Sequence, residues 1–170
     1  MKIFIMRHGE AQNFSAQGSR DDSQRALTNQ GHQEAKLMAT WLQKMKTNPS
    51  QVFVSPYLRA QQTCEIVTSR MQTVITTLDF ITPSGDAKQV HDFIDGWCIE
   101  QQSSGEQSPV QQEQSLLIVS HMPLVSYLVA ELTQFEQAPI FATAGIAHIA
   151  YDIDTMQGQL KGLVSPLDLC

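Results

Sequence analysis

Three short apolar runs in this chain each run straight into groups that bind anions. Ile3-Phe4-Ile5-Met6 leads into Arg7-His8-Gly9, Val52-Phe53-Val54 into Ser55-Pro56-Tyr57-Leu58-Arg59, and Leu116-Leu117-Ile118-Val119 into Ser120-His121-Met122-Pro123. Unalternating and rich in β-branched residues, each run reads as a strand buried on both faces, and therefore as part of a parallel sheet covered by helices. In open α/β sheets ligands bind beyond the carboxyl ends of such strands. Two arginines and two histidines are thus expected to meet in one pocket.

A chain of 170 residues has room for one well-buried core. A single domain over residues 1–164 is expected, followed by a tail, 165–170, that frays. The formal net charge of −6 argues against nucleic acid and anionic membrane as partners, since both need basic surface. Cys64, Cys98 and Cys170 are widely spaced and odd in number, so they read as reduced bystanders, neither a disulfide framework nor a zinc site. The apolar runs are too short to span a bilayer. Arg7 and His8 interrupt the first run before a secretory leader can form, and a cytoplasmic protein is expected.

Helices alternate with the strands. The polar stretch from Glu10 to Leu27 is expected to be a loop folded over the pocket, and a helix is expected from about Gln33 to Lys46, with Ala35, Met38, Trp41, Leu42 and Met45 on its buried stripe. Ser55-Pro56 reads as a helix start, serine as N-cap and proline at the first position, which puts Arg59 in the first turn of a helix ending near Arg70. Its guanidinium then reaches back toward the crevice. Thr73 to Leu78 reads as a strand and Ala87 to Glu100 as a helix burying Val90, Phe93, Ile94 and Trp97. Gln101 to Ser115 reads as a solvated low-complexity loop. Pro123 opens a last long helix, and Ile146–Tyr151 with Gln159–Val164 form a closing hairpin.

The residue types fit phosphoryl transfer. A phosphoryl group in flight spreads charge over three oxygens and needs forked cationic donors, which Arg7 and Arg59 supply. A neutral His8 has a lone pair able to attack phosphorus and carry the group as phosphohistidine until water discharges it. Neighbouring guanidinium charges are expected to lower the pKa of His8 and keep it neutral. His121 is placed to donate to a phosphoryl oxygen. Arginines beside the histidines, in place of clustered carboxylates or cysteines, disfavour a metallohydrolase; no metal and no cofactor are expected.

Phe4-Ile5-Met6-Arg7-His8-Gly9-Glu10 resembles the signature of the histidine phosphatase (phosphoglycerate mutase-like) superfamily. Leu27-Thr28 with Gly31 and Ala35, Ser55-Pro56 with Arg59-Ala60 and Gln62-Thr63, and Ser120-His121 match its later blocks in order. The resemblance implies a three-layer α/β/α sandwich with a mostly parallel central sheet. It also implies His8 as phospho-accepting nucleophile, with Arg7, Arg59, His121 and Gly9 at the phosphate. Leu37-Met38-Ala39-x-Trp41-Leu42, Thr82-Pro83-x-Gly85-Asp86 and the run from Pro123 to Leu132 resemble the bacterial phosphohistidine phosphatase branch. That branch lacks the helical cap insertion of larger relatives and acts on the phosphorylated histidine phosphotransfer domain of a sensor kinase in a phosphorelay, releasing inorganic phosphate. Arg25 falls where the branch has an arginine and is a candidate phosphate or substrate contact.

The chain departs from the wider pattern at two places. Phe14 stands six residues after the nucleophile where mutase-like members have asparagine, the nearest being Asn13. Phe80, in Leu78-Asp79-Phe80, stands where larger relatives have a general-acid glutamate, which leaves Asp79, Asp86 or water as proton donor. An ester alkoxide needs such an acid, whereas an imidazole protonated on its other nitrogen leaves a P–N bond neutral. The absence favours phosphohistidine over small phosphate esters, whose phosphatases or mutases are the alternative, together with an inert phosphoprotein-binding module on the same fold. His32 and His91 read as surface residues, His148 as packed, Glu10 as a supporting loop group, and Trp41 and Trp97 as core.

Overall fold

The computed structural model describes residues 1–14, 20–103 and 113–170. The three apolar runs are strands β1 (Lys2–Arg7), β2 (Gln51–Val54) and β4 (Ser115–Ser120); β3 (Val74–Thr77), β5 (Ile146–Asp152) and β6 (Gln157–Val164) complete a six-stranded sheet in the order β3-β2-β4-β1-β5-β6. β3, β2, β4 and β1 are parallel, while β5 and β6 form an antiparallel hairpin against β1. Helices α1 (Asn29–Lys44), α2 (Leu58–Thr68), α3 (Ala87–Ser103) and α4 (Leu124–Leu132) cover it.

The absence of alternation in the strands has its cause in two cores. Ile3, Ile5, Phe53, Leu116 and Ile118 face one way, onto Val90, Ile94, Leu124 and Leu128 of α3 and α4. Phe4, Met6, Val52, Val54, Leu117 and Val119 face the other, onto Ala35, Met38, Leu42, Ala60 and Cys64 of α1 and α2. Each buried Val, Leu or Ile removes apolar surface from water, about 2 kcal/mol per side chain, so both faces of the three strands must be apolar. The result is the expected three-layer sandwich.

Register sets the strand ends level. Arg7 lies opposite Ser120, and Val54 opposite Val119. The His8 amide donates to the Ser120 carbonyl at 3.0 Å and the Ser55 amide to the Val119 carbonyl at 3.0 Å. The residues that follow the three runs are thereby brought to one edge of the sheet.

Several local expectations are corrected. α1 begins at Asn29, four residues before Gln33, because the Thr28 hydroxyl accepts the Gly31 amide at 3.0 Å and caps the helix. Met45 follows its last turn and is exposed. α2 starts at Leu58 with Tyr57 as its cap residue, so Ser55 is not the N-cap. In α3 the buried side is Ala87, Val90, Ile94 and Cys98; Phe93 lies at the margin, edge-on to Phe53. α3 runs on to Ser103, so the expected low-complexity loop begins later than Gln101; its residues 104–112 lie outside the described residues. α4 has only nine residues. At the other end of the chain, Pro166–Leu169 form a short 3-10 helix held by a Ser165–Asp168 capping box, with Leu169 packed on the α1–α2 core. His91 is half-buried, bonded to the Tyr151 hydroxyl at 3.0 Å and facing Asp95 and Glu131. No described helix is long and apolar enough to cross a membrane.

Candidate active site

His8 leaves the end of β1 and is 7% exposed. Its Nδ1 lies 2.7 Å from the Gly9 carbonyl, which can only accept, so Nδ1 carries the proton. The Nε–H of Arg59 points at Nε2 from 3.3 Å. Nε2 is thus a bare lone pair on a neutral ring. Burial is the main reason its pKa falls to about 4; the Gly9 carbonyl opposes this, and Arg59, Arg7 and Arg25 add to it. The expected guanidinium effect is present but secondary.

Gly9 also donates its amide to the Thr63 hydroxyl at 3.0 Å, so both its polar backbone groups are engaged in holding the loop. Thr63, one turn along α2, donates its own O–H to the Arg59 carbonyl at 2.7 Å. This single hydroxyl couples the loop after β1 to the helix that carries Arg59. A side chain at Gly9 would meet the Gly31 carbonyl oxygen at 2.7 Å, and one at Gly31 the Glu10 carbonyl oxygen at 2.1 Å. Backbone lies on backbone here.

Arg59, in the first turn of α2, is 3% exposed. Its Nη1 donates to the Asp22 carbonyl at 2.6 Å and its Nη2 to the Asp22 carboxylate at 3.0 Å. The other oxygen of that carboxylate accepts Nε of Arg25 at 2.7 Å. Arg25 also donates to the Gln12 carbonyl at 3.0 Å and stacks on Phe14, 5.2 Å from the ring centroid. Partial burial by itself would raise the Asp22 pKa, but the hydrogen bonds from Arg25 and Arg59 and their charges carry it below the usual carboxylate range. Asp22 is therefore an anion joining two cations.

Arg7 donates from Nη1 to the Phe141 carbonyl at 2.8 Å, and its buried Nε has no partner among the described residues. Burial lowers its pKa, with Glu34 opposing. Glu34 itself takes the Glu10 amide at 2.8 Å and the Thr143 hydroxyl at 2.8 Å, tying α1 to the loops on both sides of Arg7.

His121 follows β4 and is 1% exposed, its ring centroid 5.0 Å from that of His8. Nε2 lies 2.7 Å from the Ser55 hydroxyl, and buried Nδ1 has no partner among the described residues. Burial first, then the charges of His8 and Arg59, push its pKa down to about 2. The same hydroxyl accepts the Tyr57 amide at 3.2 Å just ahead of α2, so it steadies the helix start and orients this imidazole together.

The structure therefore brings Arg7, His8, Arg59 and His121 to one end of the sheet and links Arg25 to Arg59 through Asp22. Asp22, Ser55 in its present role, Thr63 and Glu34 were not singled out from sequence. Asp79 and Asp86 are exposed, and Asp86 caps the first turn of α3 through the Lys88 amide at 2.9 Å. Asn13 is exposed. His148 stacks on Phe4 at 4.7 Å, as a packed histidine.

The arrangement has recorded relatives. Residues 3–81 match the model of the histidine phosphatase superfamily (branch 1). The chain is 37% identical over 171 residues to the phosphohistidine phosphatase SixA of Escherichia coli (strain K12), covering 99% of this chain and 96% of that protein. It is 35% identical over 161 residues to the SixA homolog of Haemophilus influenzae, covering 89% of each. A solved structure of the protein histidine phosphatase SixA complexed with tungstate superposes with a TM-score of 0.84 at 38% identity over 100% of both chains. With this sequence, this mixed sheet and its four helices, the chain belongs to the histidine phosphatase superfamily and has the phosphoglycerate mutase-like fold of SixA.

Proposed function

We propose that the protein is a cytoplasmic, metal-independent phosphohistidine phosphatase that removes the phosphoryl group from a histidine phosphotransfer domain of a phosphorelay sensor kinase. The observation that carries this reading is the proton arrangement on His8: Nδ1–H fixed on the Gly9 carbonyl and Nε2 unprotonated, facing the Arg59 Nε–H, with the His121 ring centroid 5.0 Å from that of His8.

In the first step the Nε2 lone pair of His8 attacks phosphorus as the P–N bond of the substrate breaks. The substrate imidazole, protonated on its other nitrogen, takes the bond pair and leaves neutral, so no strong general acid is needed. Arg59 turns its Nε–H from His8 to a phosphoryl oxygen, and the unpartnered Nε of Arg7 faces another. A tautomer of His121 with its proton on Nδ1 donates to the third. Phosphorylated His8 carries its positive charge on the ring, and Nδ1–H on the Gly9 carbonyl spreads it. Water then attacks phosphorus, the Nε2–P bond breaks back to neutral His8, and inorganic phosphate departs. Asp22, ionised and tied to two arginines, is not the proton donor.

Support for a phosphoprotein substrate comes from the names of the relatives, which are phosphohistidine phosphatases, and from the exposed positions of Asp79 and Asp86, which suit neither to the buried, raised-pKa acid that ester hydrolysis needs. Turnover of a histidine-phosphorylated phosphotransfer domain, compared with a panel of sugar phosphates, tests it. The expected preference is for the protein by orders of magnitude; a preference for sugars overturns the reading, and wild-type turnover by His8→Ala overturns the nucleophile.

A further inference from the structure

Beside the pocket, α1 and α2 leave a groove of about 1070 Å³ between them. Both helices start at the end of the sheet where His8 and Arg59 lie and run away from it. The upper end of the groove, at His32 and Gln62, adjoins the site, because the Gln62 side chain accepts the Leu27 amide at 2.8 Å in the loop that leads to the Thr28 cap of α1. Its floor includes Ala39, Ile66 and Met71, all half-buried.

Lys36, Lys46 and Arg70 line the same groove, outnumber its one carboxylate, Glu65, are exposed, and form no ion pair among the described residues. Their concentration runs against the charge of the molecule. From Thr28 to Gln72 the chain has five basic and two acidic residues, whereas the described residues from Asp79 to Glu136 include one basic and eight acidic residues. The helices of the first stretch cover one face of the sheet and those of the second the other. An acidic approaching surface is thereby drawn to the α1–α2 side and repelled from the opposite side.

We propose that this groove seats an acidic amphipathic helix of the phosphorylated protein substrate, one end of which presents the phosphohistidine to His8; the proposal rests on the substrate reading above. The span from His32 to Lys44 along α1 is about 18 Å at 1.5 Å per residue, the length of a helix of a little over three turns. An apolar stripe on such a helix meets Ala39, Ile66 and Met71, and carboxylates beside that stripe meet Lys36, Lys46 and Arg70. A nucleic acid fits less well: three cations over an apolar floor, on a protein of net charge −6, give little phosphate neutralisation. Contacts in the groove select the protein that carries the phosphate and do not touch the reacting atoms.

The test compares the wild-type protein with the Lys36→Glu, Lys46→Glu, Arg70→Glu triple variant on a histidine-phosphorylated phosphotransfer domain and on phosphoramidate. The expected result is a KM for the phosphoprotein raised about tenfold or more with kcat nearly unchanged, and unaltered kcat/KM on phosphoramidate. Wild-type KM for the phosphoprotein should also climb with salt, and the variant's should not. The Lys36→Glu, Arg70→Glu double variant, which leaves the left-handed backbone at Lys46 untouched, should show the same split more weakly. Wild-type efficiency of the triple variant on the phosphoprotein overturns the docking proposal alone, as does an equal loss on both substrates. Competition by single-stranded RNA that the triple variant abolishes, with phosphoprotein turnover unaltered, assigns the groove to nucleic acid and overturns it too. A wild-type protein that hydrolyses small phosphates and no histidine-phosphorylated protein overturns the substrate reading, and the docking proposal with it.

Discussion

Arg59 directs its Nε–H at Nε2 of His8 across 3.3 Å while the Gly9 carbonyl holds Nδ1–H at 2.7 Å. One imidazole is thereby locked in one tautomer with its reactive nitrogen toward a cation. His8→Ala is expected to lower kcat by about three orders of magnitude or more on any phosphorylated substrate, with circular dichroism unchanged. His8→Gln separates loss of the nucleophile from loss of packing and should be equally inactive.

The same burial makes a statement about pH. With a pKa near 4 in the folded protein against an ordinary value of 6.5, His8 binds a proton in the unfolded chain before it does so in the folded one. Its contribution to stability is full above pH 6.5 and is lost as pH falls through about 4. His121, pushed lower still, acts in the same direction. Urea midpoints should decline from pH 7 to pH 5, and an NMR titration of the His8 ring should show no inflection between pH 8 and pH 5. An inflection near 6.5 would contradict the buried neutral ring.

Asp22 bridges Arg59 and Arg25, and Asp22→Ala leaves the Arg59 fork without its anchor. The expected effect is a fall of about tenfold in kcat/KM. Thermal stability should barely change, because the Asp22 side chain is 39% exposed and exposed ion pairs contribute little. Asp22→Asn, which keeps one acceptor oxygen, should fall between. Unchanged kinetics in both variants would show that Arg59 holds its place unaided.

Ser55 supplies the one hydrogen bond that the His121 ring makes among the described residues. Ser55→Ala removes it and leaves a buried, unpaired imidazole, at a cost of about 1–2 kcal/mol in stability. Because Ser55 acts through His121, kcat should fall about tenfold with KM little altered. A change confined to KM would assign Ser55 to substrate binding.

Two glycines make a matched pair. A methyl at Gly31 would lie 2.1 Å from the Glu10 carbonyl oxygen, whereas at Gly96, exposed on α3, nothing lies within 4 Å. Gly31→Ala is expected to destabilise the protein by about 3 kcal/mol, and Gly96→Ala to stabilise it by up to about 1 kcal/mol. Chemical denaturation of both variants checks the contrast.

The central strands were legible because burial on two faces forces a continuous apolar run, and few other arrangements use one. The candidate pocket followed from what stood at the ends of those runs. Asp22 was hidden because its partner Arg59 is 37 residues away, a proximity only the folded chain creates; Glu34 and the Glu10 loop are a similar case. Ser55 misled for a chemical reason, since a hydroxyl before proline suits a helix cap and an imidazole equally well. Met45 continued the apolar period of α1 after the helix had stopped, and nothing in a periodicity marks the last turn. Thr28 was passed over as a cap because the polar Asn29-Gln30 that follows it looks like loop.

β1 and β4 adjoin one another, and each has a strand on its other side as well. His8 and His121 are rooted in the part of the molecule whose amides open only when everything opens, whereas Arg25 and Asp22 stand on a single turn of 3-10 helix, Asp22–Gln24, and its end. On gentle warming the mouth should loosen first and weaken capture of the phosphate, while the two rings keep their spacing. Chemistry on phosphate already captured should then survive to the melting point, with no inactive yet folded form preceding it.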